Sequence, residues 1–121
     1  MAKVIHFEIP ADNPERAIAF YEKAFGWKTQ KYGTINYWLV TAGEEKEIGI
    51  NGAISERSQT NPATTNTIGV QSYEESVEKI KQAGGEILMP KTAVPGIGYM
   101  TYCKDTEGNI FGIMQTDPNA K

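Results

Sequence analysis

Residues 4–9, Val-Ile-His-Phe-Glu-Ile, alternate in character, and the Pro-Ala-Asp-Asn-Pro-Glu that follows breaks the alternation. A period of two marks a half-buried strand; the break supplies a turn, an N-cap candidate at Asp12 or Asn13, and Pro14 at a first helical position. From Pro14 to Phe25 the period changes. Ala17, Phe20, Tyr21, Ala24 and Phe25 recur at helical spacing, and Gly26 is placed to end the helix. Strands are predicted next around Asn36–Ala42 and Ile48–Ile54, joined by the polar turn Gly43–Glu47. Residues 57–64 are polar and without period, which predicts a connector. The pattern then restarts with a strand over 65–71 and a helix over 73–83 that turns Val77 and Ile80 inward and is closed by Gly84-Gly85. Further strands are predicted at 86–89, 98–103 and 110–115.

The two halves read alike. His6-Phe-Glu-Ile ahead of the first helix matches Thr67-Ile-Gly-Val ahead of the second, with two or three strands behind each. A repeat of roughly 60 residues is too long for a solenoid unit and too short for a robust core of its own, so the halves should pack together. The predicted fold is α+β: two βαβββ modules forming a curved, open mixed sheet around a cleft. Module one covers about residues 1–56, the connector 57–64, module two 65–115, and 116–121 form a frayed tail without apolar anchors. A ferredoxin-like sandwich accounts equally well for the first strand and helix but leaves the extra strands of each half over.

Strand alternation also sorts faces. Phe7 and Ile9 should cover the first helix while Val4, His6 and Glu8 share the other side. In the second half Ile68 and Val70 take the helix side, leaving Thr67, Gly69 and Gln71 opposite. In the last strand Phe111, Ile113 and Gln115 share a face against Gly112 and Met114, and period alone does not say which looks inward.

Composition narrows the function classes. At 121 residues, 40% hydrophobic and net charge −3, one soluble domain is expected, with no apolar run long enough for a membrane span. Lysine and arginine are scattered and form no stripe to meet phosphates, so no nucleic-acid partner is expected. No secretory signal is visible and Cys103 is the only cysteine, which fits a reducing, cytoplasmic setting and excludes a multi-cysteine zinc site. Cys103 lacks a basic neighbour in sequence and reads as an inert thiol. No Gly-x-Ser-x-Gly elbow or phosphate loop is present.

Three segments carry a family resemblance: the opening His6-Phe-Glu-Ile-Pro-Ala-Asp-Asn-Pro-Glu-Arg-Ala, the helix end Phe20-Tyr21-Glu-Lys-Ala-Phe25-Gly26-Trp27, and Asp105-Thr-Glu-Gly108-Asn109 before the final strand. Together they resemble the bacterial glyoxalase-like branch of the vicinal-oxygen-chelate superfamily, which contains glyoxalases, bleomycin-resistance proteins and dioxygenases. The resemblance implies a U-shaped sheet, a homodimer, and a cavity holding a divalent metal on a first-strand His, a His on the strand opening the second half, and a last-strand Glu. Carried over by position, these become His6, Thr67 and Gln115. One imidazole, one hydroxyl and one amide carry no negative charge, whereas tight divalent sites gather imidazole, thiolate or carboxylate donors. Glu8, on the same face as His6, is the residue able to supply charge, so His6, Glu8 and Gln115 form the alternative metal set.

No metal or other cofactor is therefore expected, and the ligand set favours a module that binds a small organic molecule. His6, Glu8, Trp38, Asn51, Thr67, Tyr102 and Gln115 are its candidate lining residues. For Trp38, Tyr37, Tyr99 and Tyr102 sheet packing is the more economical role, and Asn51-Gly52 reads as a bulge or a close approach of backbone to ligand. The competing reading is an enzyme, a lyase, isomerase or dioxygenase whose metal polarises an oxygenated substrate. An accessory domain is a third, since fold does not fix function.

Overall fold

The computed structural model describes residues 2–121. The protein is α+β, and its described residues divide into two compact units, His6–Thr65 and a second comprising 2–5 with 66–121.

In the first unit, strand β1 (Val4–Ala11) leads into helix α1 (Pro14–Phe25), followed by β2 (Lys28–Lys31), β3 (Tyr37–Thr41) and β4 (Gly52–Glu56). The sheet order is β2-β3-β4-β1; β1 and β4 run parallel and the other pairs antiparallel. Helix α1 begins where the sequence predicts: Asn13 is the N-cap, its side-chain oxygen accepting the Arg16 N–H at 3.1 Å, and Pro14 follows. Such a cap is worth about 1 kcal/mol. The helix ends at Gly26, whose φ of 74° is left-handed, a conformation glycine adopts without steric cost. Its inner side, Ala17, Ile18 and Tyr21, packs with Phe7, Ile9 and Trp27 on a core of Ala11, Val40 and Ile54.

The second unit repeats this plan. Strand β5 (Thr65–Val70) leads into helix α2 (Tyr73–Gln82), then β6 (Glu86–Ile87), β7 (Thr92–Val94), β8 (Gly98–Lys104) and β9 (Ile110–Thr116). The order is β5-β9-β8-β6, with β7 also on β8, and β5 and β9 are parallel as β1 and β4 are. Ser72 caps α2 through the Glu75 N–H. Val77 and Ile80 pack on a core of Val70, Tyr73, Cys103 and Ile113.

Several boundaries differ from the sequence reading. Two strands, β2 and β7, were not predicted. The second hairpin strand starts at Gly52 rather than Ile48, because Gly49 has φ 140° and the Asn51 Oδ1 accepts the Ala42 N–H at 3.0 Å, closing a loop over 42–51. The tail at 116–121 is not frayed. Asp117 N–H donates to Ile97 O at 2.8 Å, Gly96 N–H donates to Ala120 O at 2.9 Å, and Ala120 is buried. Main-chain bonding holds it where apolar anchors are lacking. The module boundary also shifts: residues 2–5 group with the second unit, where Gly69 N–H donates to Lys3 O at 2.8 Å.

Candidate functional site

In the first unit the core contacts of Phe7, Ile9, Val40 and Ile54 fix which face of the sheet α1 covers. Alternation then places His6 and Glu8 of β1, Tyr37 and Leu39 of β3, and Ala53 and Ser55 of β4 on the face away from α1, where Glu8, Ala53 and Ser55 are buried, in agreement with the cross-strand partners Glu8 with Ala53, Leu39 with Ala53 and Tyr37 with Ser55. His6 Nε2 and Tyr37 Oη share a hydrogen bond of 2.8 Å, and their rings lie nearly parallel with centroids 6.4 Å apart. Tyr32 meets Tyr37 edge-on at 6.5 Å. Glu8 is 5% exposed, a carboxylate lodged in the sheet beside the imidazole. Burial holds the His6 pKa below its ordinary 6.5, and the neighbouring Glu8 charge opposes that shift without overcoming it. The imidazole is thus neutral at pH 7, one ring nitrogen a donor and the other an acceptor.

Two sequence candidates in this unit have other occupations. Trp38 pairs with Ile54 in register and lies on the α1 side of the sheet, with the Lys31 ammonium 5.5 Å from its ring centroid. It does not share the face of His6. The residue that does is its neighbour Tyr37, which strand parity from Val40 could have singled out. Asn51 braces the 42–51 loop through Ala42.

In the second unit Val70, Cys103 and Ile113 mark the α2 side, so Thr67 of β5, Gly112 and Met114 of β9, and Met100 and Tyr102 of β8 occupy the other. Thr67, Gly112 and Tyr102 form one cross-strand row, and a Cβ placed on Gly112 would approach Thr67 Oγ1 to 3.0 Å. His6 and Thr67 are therefore equivalent in their modules, each on the face its own helix leaves open. Gln115 is a correction. It lies on the α2 side, where its Oε1 accepts the Tyr73 N–H at 2.7 Å at the start of α2, so it does not share a face with Thr67.

Neither unit by itself offers a donor set that fits a divalent ion. In the first, His6 and Glu8 bring one imidazole and one carboxylate; in the second, Thr67 and Tyr102 bring only hydroxyls, and Gln115 spends its oxygen on a helix end. Among the described residues no three of His, Cys, Asp and Glu gather as ligands would. No helix among them is long and apolar enough to cross a membrane.

Comparison with known proteins bears on the whole chain. A probable chloroplastic lactoylglutathione lyase of Arabidopsis thaliana is 32% identical over 105 residues, covering 78% of this chain, which spans only 30% of that protein's length. Two solved structures show the same fold at low identity. One is a Streptomyces coelicolor methylmalonyl-CoA epimerase in complex with 2-nitronate-propionyl-CoA, with TM-score 0.68, 12% identity, 100% of this chain and 99% of that one covered. The other is a glyoxalase/bleomycin resistance protein/dioxygenase superfamily member from Vibrio splendidus 12B01, with TM-score 0.68, 10% identity and coverage of 97% and 100%. The model of one family matches residues 3–113, nearly every element of both modules, and so the chain belongs to the Glyoxalase/Bleomycin resistance protein/Dioxygenase superfamily.

Proposed function

We propose that this protein binds a small, polar organic molecule through the His6–Tyr37 pair, without a tightly held metal. The observation that carries this reading is the 2.8 Å bond between His6 Nε2 and Tyr37 Oη beside buried Glu8 on a face that α1 leaves open. A neutral imidazole bonded through Nε2 to the Tyr37 phenol keeps its other ring nitrogen for a ligand, and the phenol orients it without an ion. Thr67 and Tyr102, on the face of the second unit away from α2, are proposed as a candidate hydrogen-bonding set of that unit by itself. The protein is proposed to work in the cytoplasm as a homodimer.

A second reading, a lyase acting on an oxygenated thioester-type substrate, is favoured by the name of the Arabidopsis thaliana relative. One experiment separates the two. The purified protein is analysed for metals and then melted with S-lactoylglutathione or a short acyl-CoA, each with and without added zinc, nickel or manganese. The binder reading expects no stoichiometric metal, and a melting shift by at least one compound that needs no metal, shrinks in Tyr37→Phe and occurs without turnover. One dialysis-resistant ion per chain that is lost in His6→Ala, or metal-dependent turnover, overturns it and puts the lyase first.

A further inference from the structure

The first unit carries two exposed features that the His6–Tyr37 face does not use. The 42–51 loop is braced from inside: Glu47 N–H donates to Glu44 O at 3.0 Å, Glu44 N–H to Glu47 Oε1 at 2.8 Å, and Ala42 N–H to Asn51 Oδ1 at 3.0 Å. This bracing holds Ile48 fully in solvent, at 106% exposure, with Ile50 also exposed and Glu44, Glu45 and Glu47 just before them. Burying an isoleucine side chain is worth about 1.5–3 kcal/mol, so a loop that holds one outward forgoes that gain unless another surface supplies it.

The second feature is a groove of about 460 Å³ at the start of α1. Ile9, Ala17, Phe20 and Tyr21 give it apolar walls, and Arg16 and Arg57 stand among its lining residues. Phe20 is 58% exposed, a large ring left without cover. Arg57 pairs with Asp12 at 2.9 Å, whereas neither of the two ion pairs among the described residues involves Arg16. An apolar tip preceded by Glu44-Glu45-Lys46-Glu47, acidic on balance, and an apolar groove whose Arg16 and Arg57 outweigh Asp12 complement each other in both polarity and charge.

We propose that the Ile48 loop of one copy seats in the α1 groove of a second copy of this chain, Ile48 against Phe20 and Tyr21 and Glu45 toward Arg16. Loop and groove are different patches, so each copy keeps one of each to offer, and the contact propagates instead of closing on a pair. One loop in one groove falls short of the roughly 1,200–2,000 Å² of a standard stable interface, so the association is weak, concentration-dependent and screened by salt. It is distinct from a two-fold homodimer through any other face, which would saturate at two chains.

Sedimentation velocity of the full chain at low salt, from about 10 µM to about 1 mM, tests this. The weight-average mass should climb past the dimer without a plateau and drop when salt is added. Ile48→Asp and Arg16→Glu, both at exposed positions, should each weaken the association about tenfold, and a chain carrying Arg16→Glu together with Glu45→Arg should recover it. Far-UV circular dichroism confirms that each variant is folded. Mass independent of concentration, a dimer plateau indifferent to all three variants, or a failure of the double variant to recover would each overturn the proposal. The plateau would assign pairing to another face.

Discussion

His6, the single histidine, is placed so that its proton reports on folding. Burial lowers its folded pKa below 6.5, so between the folded and unfolded values the unfolded chain holds more protons. Stability from this group is therefore complete above about pH 6.5 and declines as the pH falls below it. Urea midpoints at two pH values either side of that point should differ more in the wild type than in His6→Gln; equal differences would show that His6 does not titrate in this way. The other buried reactive group behaves oppositely. Burial pushes the Cys103 thiol up to about 11, leaving almost no thiolate near neutrality. An aromatic disulfide reagent should leave Cys103 untouched in the folded protein and label it stoichiometrically after denaturation, and rapid native labelling would contradict its placement in the core.

Between elements, the contact of most consequence is that of Gln115 with α2. Removing its oxygen strands the Tyr73 N–H, so Gln115→Ala should cost about 1–2 kcal/mol in denaturant unfolding. Gln115→Glu, which keeps an acceptor, should recover most of that loss, and ligand affinity should not follow either change. An affinity that dropped in step with the alanine substitution would return Gln115 to the binding face. This residue also shows where sequence reading stops. Its parity with Phe111 and Ile113 was legible, but both faces of β9 carry apolar residues, so only the packing of Ile113 under α2 decides which way the strand is turned. For Trp38 the sequence favours sheet packing over a place in a ligand wall, and its position on the α1 side fits the former; a one-residue step decides the face, and Tyr37 lies on that of His6. β2, Lys-Thr-Gln-Lys, leaves no mark in the sequence because it lies at the end of its sheet and shows no hydrophobic alternation. Both helices are legible from their period and the glycines that close them, and α1 also from its cap candidates and Pro14.

At the scale of the whole molecule, the repeat gives each unit its own core, and the two clusters share neither a buried member nor a packed neighbour. Ile54→Val and Ile113→Val should each cost about 0.5–1.5 kcal/mol, and the double variant should lose their sum to within about 0.5 kcal/mol. A larger departure would mean that the cores are energetically coupled.

Both tryptophans of the chain, Trp27 and Trp38, fall in the first unit, Trp27 stacked on Tyr21 with centroids 4.6 Å apart and Trp38 beneath the Lys31 ammonium. The second unit contains none, so emission excited at the red edge of the absorption band comes from the first unit alone. Indole fluorescence is in effect a label already installed on one half of the repeat, and comparing its melting curve with far-UV ellipticity, which records both halves, reveals whether they come apart together or in turn.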